Sequence, residues 1–173
     1  RLAPLVPATR TLVVTNASLA SAVRELLPEL PRENVLAEPR AAGTAPALSW
    51  AAATVARRGS AEDVMFCVHA DWAIGDDAEF RATLERAAQA AAREQSLVTV
   101  GIVPTRPDPG FGYIEPGERI DDVARRVARF AEKPDRDVAA QMVKQGFLWN
   151  SGIFVWRAGD FLEETRAVSP RSE

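Results

Sequence analysis

DVMFCVHAD, residues 63–71, is the stretch that decides the fold. Residues 63–69 read as a continuous apolar run, the mark of a central strand covered on both faces, because a strand with one wet face alternates instead. The run stops at Ala70 and Asp71. A carboxylate is thereby set just past a strand's carboxyl end, where open α/β sheets bind their ligands. Cys67, the single cysteine, lies inside the run and reads as a reduced core thiol. One cysteine permits neither a disulfide framework nor a cysteine-based zinc site within the chain.

Moving outward from this run, strand-like and helix-like segments alternate. Upstream, residues 11–15 read as a strand, and Asn16 or Ser18 can cap a helix whose Leu19, Val23, Leu26 and Leu27 form one apolar stripe before Pro28 and Pro31 stop it. Residues 34–38 form a second short strand. Residues 44–58 are rich in alanine, carry Pro46 in the first turn where proline is tolerated, and end at Gly59 as a second helix. Downstream, Asp76 or Asp77 can cap a long helix reaching about Glu94, followed by another buried strand at 97–103. This order predicts an α/β domain with a largely parallel sheet.

From Pro104 the texture changes. TRPDPGFGYIEPGE, residues 105–118, packs proline and glycine into a loop around a short strand at 113–115. Residues 125–132 alternate as a strand, with Val127 and Phe130 offset by charged neighbours, and Pro134 precedes a helix at 138–145. A last strand, 153–156, leads to a final helix. No repeat or domain-sized linker interrupts residues 1–173, which are expected to form one partial domain. The opening RLAPLVP reads as the tail of a helix and the closing SPRSE, 169–173, follows one, so both ends are expected to be truncated.

Composition narrows the function classes. With 47% hydrophobic residues, 173 residues suffice for a sizeable core. The net charge of −3 comes from 21 basic and 24 acidic residues scattered along the chain, which leaves no basic stripe to track a phosphate backbone and argues against nucleic acid. No stretch approaches the ~18 apolar residues of a membrane span, and the start lacks a signal-peptide layout, so the cytoplasm is the expected compartment. His69 is the sole histidine and no motif pairs it with a nucleophile. Neither GxGxxG nor GxxxxGK[ST] occurs.

Four clusters sit where α/β folds bind ligands. Asp71 can bind the magnesium that bridges nucleotide phosphates, or simply cap a helix. Glu132, Lys133 and Pro134 close a strand with an acid and a base expected on opposite faces, and adjacent charges are also common as surface ion pairs. Gly110 and Gly112 allow a backbone to approach a sugar closely, or make an ordinary turn. Trp149 and Asn150, just before the last predicted strand, suit stacking and hydrogen bonding to a sugar, or a buried aromatic beside a turn.

Taken in order, ENVLAEP (33–39), GTAPAL (43–48), HAD (69–71), PTRPDPGFGYIEPGE (104–118), RVARFAEKP (126–134) and LWNSGIFVW (148–156) resemble the bacterial mannose-1-phosphate guanylyltransferases, a branch of the sugar-nucleotide pyrophosphorylases. The resemblance covers nearly the whole chain. It implies a Rossmann-like three-layer nucleotidyltransferase fold and a magnesium-dependent transfer of a guanylyl group from GTP to mannose 1-phosphate, giving GDP-mannose and pyrophosphate. It implies Asp71 as a magnesium ligand, and Lys133, beside it in the chemistry, as the cation offsetting charge on the reacting phosphates. Glu132 and Asn150 would bind sugar hydroxyls and Gly112 would set its amide against the sugar, while Glu38, Thr44 and Ala45 would line the guanine and ribose pocket. A homodimer is the assembly it allows.

The chain also departs from that family. Ala42 stands where an arginine is usual, and His69 and Trp72 flank Asp71 in place of a proline and a histidine. The glycine-rich GGxGTRLxP run and the PKP motif are not in the sequence, so the 173 residues by themselves are expected to transfer poorly or not at all. Two other readings stay open: transfer from UTP or dTTP to glucose 1-phosphate, and a non-catalytic sugar-nucleotide-binding protein.

Overall fold

The computed structural model describes residues 1–168; the terminal SPRSE, on which one end of the expected truncation rests, lies outside the described residues. The α/β class holds. The described residues divide into two compact units, one made of residues 1–65, 74–83 and 157–168, the other of 66–73 and 84–156.

In the first unit, strand β1 (Val13–Asn16) pairs in parallel with β2 (Val35–Glu38). Helix α1 (Ala20–Leu26) connects them. Ala20, Leu30 and Val35 form a small core with Val13 and Val23. Of the stripe expected of α1, this core uses Val23, while Leu19 and Leu26 are exposed, Leu26 by 78%, because the short helix turns Ala20 and Val23 inward. Asn34 is the polar keystone, its amide donating to the carbonyls of Ala8, Thr9 and Thr11 while its Oδ1 accepts from Arg58 at 2.7 Å. The opening residues form one closed turn on the Leu2 carbonyl and a 3-10 turn at Ala8–Arg10 rather than the tail of a helix, since Pro4 and Pro7 withhold amides.

Helix α2 (Thr44–Arg58) has the boundaries the alanine run predicted, with Pro46 in its first turn and Gly59 as its C-cap. It packs against α5 (Ala158–Val168). Helix α3 (Asp77–Glu94) is capped by Asp76, whose Oδ1 accepts from the amides of Ala78 and Glu79 at 2.9 Å each.

A five-stranded sheet is built from β3 (Val64–Cys67), β4 (Val98–Ile102), β5 (Tyr113–Arg119), β6 (Arg125–Ala131) and β7 (Leu148–Arg157). Its order is β3-β7-β5-β6, with β4 also pairing with β7. Here the expectation of a mostly parallel sheet needs correction. The pairings β4–β7, β5–β7 and β5–β6 are antiparallel, because β5 and β6 form a hairpin and β7 returns directly beside β5. β1 and β2 pair in parallel. β3, expected at the centre, stands at one end of the order among the described residues, and its side chains are half-buried. The strand predicted at 97–103 is likewise not buried, with Val103 74% exposed.

β6 is exposed along most of its length, Val127 and Phe130 included. The dense core of this unit lies on β5 and β7 instead, where Tyr113, Phe147 and Trp149 pack with Ala139 and Met142 of α4 (Arg136–Lys144). Asp135 caps α4 by accepting from the Val138 amide at 2.8 Å. β7 begins at Leu148, well before the strand predicted at 153–156, so Trp149 and Asn150 lie in the strand rather than ahead of it.

Candidate active site

Strand β5 is entered through the buried pair Gly112 and Tyr113. Tyr113 ties down the preceding proline-glycine loop: its hydroxyl accepts from the Asp108 amide at 2.9 Å and donates to the Asp108 carbonyl at 3.2 Å. Asp108 in turn accepts from the Gly110 amide and pairs with Arg106 at 2.7 Å. The loop that presents Gly112 is therefore anchored from within the core. These bonds to the Gly110 amide and then to Arg106 hold the Asp108 carboxyl below the ordinary carboxylate range.

Three of the predicted site residues meet around Gly112. The Asn150 backbone amide donates to the Gly112 carbonyl at 2.7 Å, joining β7 to the start of β5. A β-carbon at Gly112 would stand 3.1 Å from Glu132 Oε2 and 2.8 Å from Phe130 Cζ, so the glycine leaves room for the carboxylate beside the strand. Glu132 Oε1 is 3.6 Å from Lys133 Nζ, and both side chains are exposed. The acid and the base therefore share a side rather than pointing apart. β6 ends at Ala131, and Lys133 takes a φ of +43°, a left-handed turn that breaks strand alternation at that residue. Such a conformation at a non-glycine costs about 1 kcal/mol, and strain of this kind clusters at functional sites.

β7 connects this group to the segment bearing Asp71. The β4–β7 register shifts between Thr99 and Gly101, and within the irregular stretch Gly152 has a φ of +75°. The Gly152 amide donates to Asn150 Oδ1 at 3.2 Å. On its open side Gly152 receives the His69 ring, whose Nε2 would be 2.7 Å from a β-carbon there. His69 stacks on Trp72, ring centroids 6.1 Å apart and planes 11° from parallel. Ala70 and Asp71 form the turn between the two rings. The Asp71 carboxylate is exposed and makes no hydrogen bond or ion pair among the described residues.

The remaining predicted residues belong to the other unit. Glu38 is half-buried at the end of β2, and its carbonyl accepts from the Ala17 amide at 2.9 Å. Thr44 and Ala45 are exposed in the first turn of α2, behind Gly43 at a φ of +97°. The positive backbone there sharpens the entry to the helix.

Sequence reasoning missed Thr99 and His69. Thr99 Oγ1 donates to Asn150 Oδ1 at 2.8 Å across a separation that no local motif signals. His69 was visible as a strand-end residue, but its seat on Gly152 depends on the bulge. Cys67 has no part in this group, and burial pushes its thiol up to about 12. Among the described residues no group of three or more His, Cys, Asp or Glu side chains could hold a metal ion, and no helix is long and apolar enough to cross a membrane.

Comparisons with known proteins give the family and the fold. The family described as "Nucleotidyl transferase" matches residues 4–172. The mannose-1-phosphate guanylyltransferase of Escherichia coli K12 is 40% identical over 166 residues, covering 91% of this chain and 34% of that protein. The xanthan biosynthesis protein XanB of Xanthomonas campestris pv. campestris is 42% identical over 137 residues, covering 79% of this chain and 28% of that protein. The chain thus spans about a third of the length of the curated relatives it matches. Among solved structures, one described as a mannose-1-phosphate geranyltransferase from Thermus thermophilus superposes with a TM-score of 0.85 at 29% identity, covering 97% of this chain and 52% of that one. A second, described as a mannose-6-phosphate isomerase from Helicobacter pylori, gives 0.81 at 31% identity, covering 98% and 63%.

Proposed function

Because this chain belongs to the nucleotidyl transferase family, we propose that it supplies the sugar-phosphate side of a transfer of a guanylyl group from GTP to mannose 1-phosphate. The observation that carries this reading is the convergence of Gly112, Glu132 and Asn150 at one end of β5, β6 and β7, with Lys133 beside them. A sugar presents hydroxyls that both donate and accept, and the residues whose strands meet at Gly112 include a carboxylate and an asparagine able to answer both. Lys133 adds a cation for the phosphate.

Transfer of this type asks the protein for position and charge neutralisation rather than a covalent nucleophile. An oxygen of the sugar phosphate attacks the α-phosphorus of the nucleotide, that P–O bond forms as the bond to the β-phosphate oxygen breaks, and pyrophosphate leaves. Glu132 and Asn150 fix the sugar, so that its phosphate is held in line. Lys133 offsets negative charge that builds on the reacting oxygens.

The exposed, unengaged Asp71 carboxylate fits a hard cation as one oxygen donor. Bound Mg2+ would supply Lewis-acid neutralisation of the nucleotide phosphates, its other ligands coming from those phosphates and water. Glu38, Thr44 and Ala45 are assigned to the nucleoside.

The test is pyrophosphate release by a polypeptide that includes this chain, given Mg2+, GTP and mannose 1-phosphate. Lys133→Ala should lower kcat by at least about ten-fold, the cost of one lost charge contact in the transition state. Release with UTP and glucose 1-phosphate but not with GTP and mannose 1-phosphate would overturn the assignment.

A further inference from the structure

We propose that Thr99 is a positioning residue that commits Asn150 to act on its ligand as a hydrogen-bond donor. Asn150 Oδ1 is met by two donors, the Thr99 hydroxyl at 2.8 Å and the Gly152 amide at 3.2 Å. The second contact fixes the orientation of the side chain. A backbone N–H can only donate, so the atom it meets is the carbonyl oxygen and not the amide nitrogen. The Thr99 hydroxyl also lies 3.0 Å from the Ile153 carbonyl, so its single hydrogen is shared between that carbonyl and Asn150 Oδ1. Both lone-pair directions of Oδ1 are used inside the protein. What Asn150 has left to offer is its NH2 group, which makes no hydrogen bond among the described residues.

This inference rests on the sugar-binding reading of the same site, and it adds the polarity of that site. Glu132 contributes an acceptor and Asn150, held by Thr99, contributes a donor. Sugar hydroxyls suit both, since a hydroxyl can give its hydrogen to a carboxylate and offer a lone pair to an NH2 group. A group that only donates has no partner at Asn150. The bulge at Gly152 supplies one clamp on Oδ1, and Thr99, on the neighbouring strand β4, supplies the other. Loss of the hydroxyl leaves the amide held by the Gly152 N–H alone, so its orientation is less firmly fixed.

The hold is read first without any ligand, from 15N relaxation of the Asn150 side-chain NH2 in the 173-residue chain. Thr99→Val, which keeps shape and removes the hydroxyl, should lower the order parameter of that group, and Thr99→Ser should restore it, with thermal melts confirming that both variants fold. Equal order parameters in wild type and Thr99→Val overturn the proposal. Mannose 1-phosphate is then titrated into the same samples. Thr99→Val should weaken binding about ten-fold while Thr99→Ser stays within about two-fold, the scale of one oriented hydrogen bond. Unchanged affinity in a Thr99→Val chain whose Asn150 has loosened also overturns it. No binding by the wild-type chain refutes the sugar-binding reading instead, and the relaxation data still decide whether Thr99 holds Asn150.

Discussion

The His69 ring occupies the space that a side chain on Gly152 would need, with Nε2 2.7 Å from where the β-carbon would stand. This contact ties the turn bearing Asp71 to the strand bearing Asn150. Gly152 serves it twice: its positive φ shapes the bulge, and its amide holds Asn150 Oδ1.

Gly152→Ala should therefore cost about 1–2 kcal/mol, the penalty of a left-handed alanine. His69 is exposed, so its ring can swing aside, and the loss should be nearly the same in a His69→Ala background. Urea unfolding of the two single variants and the double variant measures this. The Trp72 indole resonance should move in Gly152→Ala as the stacked pair separates. Full recovery of stability in the double variant would mean that the ring, not the backbone, sets the cost.

Gly112→Ala calls for the opposite separation of stability from binding. The β-carbon would press on the far ends of Phe130 and Glu132, both exposed and able to yield. Stability should fall by less than about 1 kcal/mol. Affinity for mannose 1-phosphate should fall much more, because Glu132 must leave its place. Calorimetry on the variant, beside a denaturation curve, checks both halves.

Much of this was legible in the chain itself. The α2 boundaries followed from alanine content, Pro46 and Gly59, all local signals. Gly112, Glu132, Lys133 and Asn150 were legible as candidates because each sits beside a strand end or a turn. Strand direction was not, because an apolar run such as residues 63–69 reads the same in parallel and antiparallel sheets. The side shared by Glu132 and Lys133 was hidden as well. It depends on one left-handed residue, which a lysine gives no reason to expect. Thr99 was beyond reach because its role exists only once β4 lies against β7.

Acid should loosen the loop that presents Gly112. Asp108 is held below its ordinary value by the Gly110 amide and by Arg106, and Asp121 by the amides of Val123 and Ala124 and by Arg93. A carboxyl lowered in the folded state contributes stability that is present above its unfolded value of about 3.9 and is lost as pH falls through the folded value. Stability should thus decline below about pH 4, and Asp108→Asn should flatten that decline. An unchanged slope in the variant would remove Asp108 from the account.

Cys67 should be nearly inert in the folded chain. Burial pushes its thiol up to about 12, so almost none is thiolate at neutral pH. Reaction with a disulfide reagent should be slow in buffer and rapid in denaturing urea. Fast labelling of the native chain would show that residues 63–69 open readily.

The most direct test of the sugar-side assignment is titration of mannose 1-phosphate into the 15N-labelled chain. The account predicts that the backbone amides of Gly112, Glu132 and Lys133 and the side-chain NH2 of Asn150 shift together along one saturable curve. Shifts that saturate elsewhere while these four stay still, or no saturable shift at millimolar ligand, would contradict it.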